Sequence, residues 1–222
     1  HIENFQNVYG IAKAKSEIIE SICEGGTIIL NRDDKFFNYL SKKAKLYKLK
    51  ILTFGHHKKA DIQLKKIIKK GVFSKIFINI NNKIIDLEIR DLNIYNVLAS
   101  IAVLKVLNID INKIKAKLKN FESPEGRGKK YSIIRYKKKF NFIDESYNAN
   151  PLSVKNAINK LNLIKKAKFK KYLILGDMLE LGSKSNKYHE QLSKVINNSD
   201  IDKVFIQGKK TIFTYKQINK DK

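Results

Sequence analysis

Four short apolar runs, each ended by a polar residue or a glycine, set the narrowest limit on how this chain can fold. Thr27–Leu30, Lys50–Phe54, Tyr172–Leu175 and Val204–Ile206 are short and largely apolar, without strict polar alternation. Runs of that kind are buried strands of a sheet whose two faces are both covered. Asn31-Arg32-Asp33-Asp34 separates the first run from Phe36, Phe37 and Leu40, and supplies the side chains that start a helix. Strand, helix, strand on this rhythm argues for parallel pairing. Upstream, Ile11, Ile18, Ile19 and Ile22 recur at helical spacing and predict a helix over Val8–Cys23, stopped by Gly25-Gly26.

The texture then changes. Ile62–Ile68, Val72–Ile80 and Lys83–Ile89 are β-rich, and turns at Gly71 and Asn81-Asn82 predict antiparallel pairing. Helices are predicted over Asn93–Leu107 and Ile111–Leu118, the second with Asp110 as its N-cap. Ser123-Pro124-Glu125-Gly126-Arg127-Gly128 gathers one of the two prolines and two of the ten glycines. It marks the expected boundary between domains 1–122 and 123–222. Beyond it, strands are predicted at Tyr131–Tyr136 and Phe140–Asp144, a helix from Pro151 to Ile164, and another near Lys187–Ile196. Proline suits a first helical position, where its missing N–H had no partner anyway. The fold class is α/β, and the second unit reads as incomplete at its end.

Composition narrows the function classes. With 43% hydrophobic residues in 222, a buried core is feasible, and no apolar run reaches the length of a membrane span. The lone Cys23 excludes an intramolecular disulfide and fits a cytoplasmic protein. A formal charge of +25 invites a nucleic-acid reading. Yet only Arg32, Arg90, Arg127 and Arg135 among the 46 basic residues are arginines, and lysine is spread over nearly every segment. Forked phosphate and base contacts need arginine, so the charge reads as background that attracts polyanions loosely and in a salt-dependent way. A basic nucleic-acid-binding module stays as the alternative from another class.

No phosphate loop, zinc spacing or serine-hydrolase elbow is present. Two polar segments follow predicted strands. Asp144-Glu145-Ser146-Tyr147-Asn148-Ala149-Asn150-Pro151 is placed where open α/β sheets bind ligands, and its carboxylates can accept from sugar hydroxyls. Read blandly, it is an acidic, asparagine-rich turn that caps a helix. Gly176-Asp177-Met178-Leu179-Glu180-Leu181-Gly182 is expected to carry a second acidic pair on the same sheet edge; its bland reading is a loop with Met178 and Leu181 as packing. His189 reads as a helix-surface residue.

These two segments, in this order, resemble the Mur ligase family. So do His1-Ile2-Glu3-Asn4-Phe5 with Gly10–Ile18, the Asn31–Asp34 stretch, Asn93-Ile94-Tyr95-Asn96, and Gly126-Arg127. The resemblance implies the latter half of a central ATPase domain, a mixed sheet with helices, followed by a truncated Rossmann-like C-terminal domain. It implies an ADP-forming ligase of peptidoglycan precursor synthesis that uses ATP and Mg²⁺ to join D-alanyl-D-alanine to a UDP-N-acetylmuramoyl tripeptide. A folylpolyglutamate synthetase-like ligase shares the architecture and is the sister reading. By the same resemblance, the phosphate loop and a metal-binding glutamate are expected upstream of His1, so the chain is expected to be inactive alone. Lys15 matches the family's carbamylated lysine and His1 a metal-site histidine. Arg127 matches the arginine that reaches the γ-phosphate. Asn93 and Asn96 match adenine contacts, and Asp144 and Glu145 ribose contacts, with the choice between those two carboxylates open. Tyr147, Asn148 and Asn150 fall near the amine substrate.

Overall fold

In the computed structural model, residues 5, 7–70, 73–90, 92–165 and 169–222 are described. The chain divides into two compact units, Ala12–Ser123, and Pro124–Lys222 together with the described residues of His1–Ile11.

The first unit is built on a five-stranded sheet in the order β1-β2-β3-β4-β5. Its strands are β1 (Thr27–Asn31), β2 (Lys50–Gly55), β3 (Ile62–Lys70), β4 (Phe73–Ile80) and β5 (Lys83–Arg90). β1, β2 and β3 run parallel, and β3, β4 and β5 antiparallel. The sheet is therefore mixed. Asn81 and Asn82 both take positive φ (51° and 61°), the conformation a two-residue hairpin turn requires. The turn expected at Gly71 lies outside the described residues.

The apolar continuity of β1 and β2 has a direct cause. Ile29, Leu52 and Phe54 face a core formed with α3 (Ile94–Val106), where Leu98 and Ile101 are buried. Ile28 and Ile51 face the other way, toward Leu40 and Ala44 of α2 (Phe37–Leu46) and toward Ile19. Both faces are covered, so neither can alternate with polar residues. A Leu or Ile withdrawn fully from water in this way contributes roughly 1.5–3 kcal/mol relative to exposure.

The expected helix over Val8–Cys23 is divided. α1 (Val8–Lys15) ends at Lys15, and Ser16–Ser21 continues as a 3₁₀ turn. Ser16 causes the break: its buried hydroxyl donates to the Lys13 carbonyl (2.7 Å) and lies 3.1 Å from the Tyr39 hydroxyl. A serine that bonds back to the preceding turn competes with the helical ladder. Ile111–Ile114 is likewise 3₁₀, leading into α4 (Lys115–Asn120), with Asp110 capping it through the Asn112 N–H (2.9 Å).

The second unit contains the hairpin β6 (Lys129–Arg135) and β7 (Lys138–Asp144), then α5 (Pro151–Leu163), β8 (Tyr172–Gly176), α6 (Ser185–Asn197), β9 (Lys203–Gln207) and α7 (Thr211–Tyr215). β6 and β7 pair antiparallel, and β8 and β9 parallel, as two separate two-stranded sheets. The core sits beside the second sheet: Ile158 of α5, Leu175, Met178, Leu181, Leu192 and Ile196 of α6, and Ile201 are buried together.

Candidate functional site

At the carboxyl end of β1, the Asn31 side chain accepts the Asp33 N–H (2.9 Å), turning the chain sharply. The Asp33 carboxylate then reaches across to the end of β2 and accepts the N–H groups of His56 (2.6 Å) and His57 (2.9 Å). It also accepts the Tyr95 hydroxyl of α3 (3.1 Å). Gly55 makes the approach possible. A Cβ there would lie 2.6–2.8 Å from the carboxylate, and its φ of 146° disfavours a side chain. Burial pushes the Asp33 carboxyl up, but these donors outweigh it and hold the group below the usual carboxylate range. Asp33 is a clamp that joins β1, the loop after β2 and the start of α3.

That clamp positions the amide pair on α3. Asn93 caps the helix, accepting the N–H groups of Tyr95 (2.9 Å) and Asn96 (3.3 Å) through its side-chain oxygen. Asn93 and Asn96 are both exposed, one turn apart, beside the Tyr95 that touches Asp33. His56 packs edge-on against Tyr95 at 5.7 Å. The cap commits the Asn93 oxygen, whereas the Asn96 side chain keeps a donor and an acceptor for a ligand edge.

Lys15, the last residue of α1, is exposed, and the anchored Ser16 fixes where it leaves the helix. His1 lies outside the described residues. Among the described residues no cluster of three or more His, Cys, Asp or Glu could hold a metal ion. A carbamate on Lys15 would add at most two oxygen donors, fewer than a hard cation needs, so these residues do not by themselves form a magnesium site.

In the second unit two loops are stitched together. The Asp144 carboxylate accepts the N–H groups of Gly126 (3.0 Å) and Ser146 (3.0 Å). Gly128 donates to the Asp144 carbonyl (2.7 Å), and Tyr147 to the Gly126 carbonyl (3.1 Å). The Ser146 hydroxyl and N–H hold the Asp144 carboxyl below its ordinary range; burial opposes them less strongly, and the Gly126 N–H adds a lesser lowering. The stitching sets the Arg127 guanidinium over the Tyr147 ring, 4.2 Å from its centre. The structure thus gathers Arg127, Asp144, Glu145 and Tyr147. Glu145, Tyr147 and Asn148 are exposed, while Asp144 is engaged by the loop. Asn150 caps α5: its oxygen accepts from Leu152 (3.1 Å) and Ser153 (2.9 Å), and Ser153 returns a bond to the Asn150 N–H (3.0 Å).

The Gly176–Gly182 segment departs from expectation. Its Asp177 does not share a sheet edge with Asp144, because among the described residues β7 and β8 belong to different sheets. Apolar periodicity identifies strands but not their partners. Asp177 repeats the Asp33 device at the end of β8, accepting the N–H groups of Lys209 (2.9 Å), Lys210 (2.9 Å) and Thr211 (2.7 Å). Gly208, at φ 126°, leaves room where a Cβ would collide with that carboxylate. Burial raises the Asp177 carboxyl and these N–H groups more than reverse it. Met178 and Leu181 are core residues, as in the bland reading.

His189 is not on the helix surface; it is wholly buried. Its Nε2 accepts the Met178 N–H (3.0 Å), and its Nδ1 lies 2.8 Å from the Ser185 carbonyl, so Nδ1 carries the proton. Sequence reasoning also missed Lys171, which is 2% exposed and bonded to both Asp200 oxygens (2.7 Å each) and to the Asn162 carbonyl (3.0 Å). In a chain with lysine throughout, no local signal separates it from the rest.

Fold and site define a protein of two α/β units whose loops at strand ends present an amide pair in one unit and an arginine–carboxylate group in the other. Comparison with known proteins is specific. The Mur ligase middle domain matches residues 1–104, and the Mur ligase glutamate ligase domain matches residues 131–220. A curated UDP-N-acetylmuramoyl-tripeptide–D-alanyl-D-alanine ligase of Buchnera aphidicola subsp. Baizongia pistaciae is 34% identical over 94% of this chain and 44% of its own length. Among solved structures, MurF from Acinetobacter baumannii superposes with a TM-score of 0.80 at 24% identity, over 98% of this chain and 46% of the other. MurF from Thermotoga maritima in complex with ADP gives 0.77 at 23% identity, over 100% and 49%. The chain belongs to the Mur ligase family. It spans under half the length of the curated relative. No helix among the described residues is long and apolar enough to cross a membrane.

Proposed function

We propose that this chain carries part of a cytoplasmic, ATP-dependent ligase that joins D-alanyl-D-alanine to a UDP-N-acetylmuramoyl tripeptide in peptidoglycan precursor synthesis. The observation that carries the reading is the stitched loop of Arg127, Asp144, Glu145 and Tyr147 in a chain 34% identical to a relative named for that reaction. In such a ligation a substrate carboxylate oxygen attacks the γ-phosphorus, and ADP leaves. The amine nitrogen then attacks the acyl carbon of the acyl phosphate, and inorganic phosphate leaves as the amide forms and a proton is lost. Phosphoryl transfer depends mainly on positioning and on neutralising charge spread over the transferring oxygens.

The residues divide that work. Arg127, held over the Tyr147 ring, offers a guanidinium fork to the γ-phosphate. Asn96 reads the adenine edge, with Asn93 contributing its amide N–H while its oxygen caps α3. Glu145 is the better candidate for the ribose hydroxyls, because Asp144 holds the loop. Tyr147 and Asn148 face the amine substrate; Asn150 contributes through the start of α5, since its oxygen is engaged there. Magnesium would neutralise phosphate charge when bound, and a carbamylated Lys15 would supply one of its oxygen ligands. His1 is proposed as another ligand. The functional domains are proposed to divide into 1–122 and 123–222.

The test is a chimaera in which these 222 residues replace the matching segment of the Buchnera relative. ADP release that depends on both the UDP-linked tripeptide and D-alanyl-D-alanine supports the reading. A folded chimaera that releases ADP with glutamate and a folate in their place would overturn it.

A further inference from the structure

The α2 side of the first unit's sheet edge holds an open cleft of two adjoining lobes, about 310 and 380 Å³. Arg32, Phe37 and Asn38 line both lobes. The cleft is separate from the amide pair, because consecutive residues part at the end of β2. His56 packs on Tyr95 of α3, whereas His57 turns to Arg32 beside α2.

Arg32 is held at three points. Its N–H donates to the Phe54 carbonyl (2.8 Å), its guanidinium lies 4.7 Å over the Phe37 ring, and its Nε donates to His57 Nδ1 (3.2 Å). The same Nδ1 accepts the Lys59 N–H (3.1 Å). A nitrogen accepting two donors carries no proton, so a neutral His57 bears its proton on Nε2 and is a donor there. The Arg32 terminal nitrogens have no protein acceptor among the described residues. Lys35 adds positive charge to one lobe, and Lys45 and Lys59 to the other. Both lining carboxylates have commitments: Asp34 accepts the Phe36 N–H (2.7 Å), and Asp61 accepts the Thr53 N–H (2.8 Å) and hydroxyl (2.5 Å). The cleft is therefore rich in cationic donors, with a guanidinium fork already fixed in place.

We propose that this cleft binds the phosphate group of a small phosphorylated ligand, gripped by the Arg32 fork and His57 Nε2–H. A guanidinium pinned over a ring and by a histidine loses little freedom on forming paired bonds to phosphate. The surrounding lysines favour a dianion over a monoanion, and the volume leaves room for the group that bears the phosphate.

The 222-residue chain is titrated with inorganic phosphate, pyrophosphate and succinate at constant ionic strength, following the Arg32 Nε–H and His57 ring resonances. Phosphate and pyrophosphate should saturate with one stoichiometry and one midpoint at both residues, and succinate should bind at least about tenfold more weakly. Arg32→Gln should weaken binding by about tenfold or more, and Arg32→Lys by less, since the charge remains without the fork. Lys187→Gln, on an exposed position of the second unit, should leave it unchanged. Circular dichroism establishes folding, and if Arg32→Gln is unfolded then Arg32→Lys and the wild-type resonances decide. Equal losses in the Arg32 and Lys187 variants, shifts spread over the surface lysines, or succinate binding as tightly as phosphate would each overturn the proposal.

Discussion

Replacing Asp177 by alanine should destabilise the second unit through the loop after β9. Three backbone N–H groups, of Lys209, Lys210 and Thr211, lose a charged acceptor at once. A hydrogen bond to a charged group contributes about 1.5–3 kcal/mol, and a buried donor left unpaired costs a similar amount. Lys209 and Lys210 are exposed, so water can replace most of what they lose. Thr211 is wholly buried, and its N–H cannot be rehydrated unless the loop moves. One full loss and two partial ones give an expected destabilisation of about 2–4 kcal/mol. Asp177→Asn keeps one oxygen and should cost roughly half as much. The sign with pH follows from linkage. The folded carboxyl is held below its unfolded value, so its contribution is complete above the unfolded pKa of about 3.9 and is lost as pH falls through the folded value. The assay is urea denaturation followed by circular dichroism, with amide exchange at Lys209–Thr211 reporting the loop directly. The gap between wild type and Asp177→Asn should close on acidification below about pH 4. A stability of Asp177→Ala within about 0.5 kcal/mol of wild type, or a gap indifferent to acid, would refute the clamp and return Asp177 to the pool of ligand residues.

His189→Ala should cost about 3 kcal/mol or more in urea denaturation, because it opens a cavity and leaves the buried Met178 N–H without an acceptor; a surface histidine would cost almost nothing. Asn150→Ala should lower stability by about 1 kcal/mol through loss of the α5 cap, and Asn150→Asp should restore it; full stability in the alanine variant would remove the cap assignment. In the active chimaera, Arg127→Ala should lower kcat and kcat/KM together by about a hundredfold with little change in ATP affinity, and lysine should rescue poorly. Asn96→Ala should raise the KM for ATP with a smaller effect on kcat, and an Arg127→Ala variant that raises only that KM would make Arg127 a simple binding residue.

The strand runs, the mixed pairing of the first unit and the helix cap at Asp110 were determined by local signals. Each rests on interactions within a few residues: apolar continuity, a turn that accepts positive φ, a side-chain oxygen set to meet the next N–H groups. The motif segments were legible for the same reason, as short stretches whose order carries the information. Their roles were not. Asp33 and Asp177 look identical to ligand carboxylates in sequence, and only the arrival of a loop 23 to 34 residues downstream shows that backbone donors already occupy them. His189 could not be placed because α6 has a surface and a buried face, and its Met178 partner is 11 residues upstream on another element. The break at Ser16 depends on Tyr39 and on Lys43, whose Nζ lies 3.1 Å from the Ser16 hydroxyl. Which strands share a sheet in the second unit is a matter of which backbone edges meet, and a pattern of side chains does not record that. Sequence alone determined the elements and the order of the polar loops. Tertiary structure decided which of those polar groups are already spent on holding the fold and which remain to meet a ligand, because a hydrogen bond between distant segments exists only once the chain has brought them together.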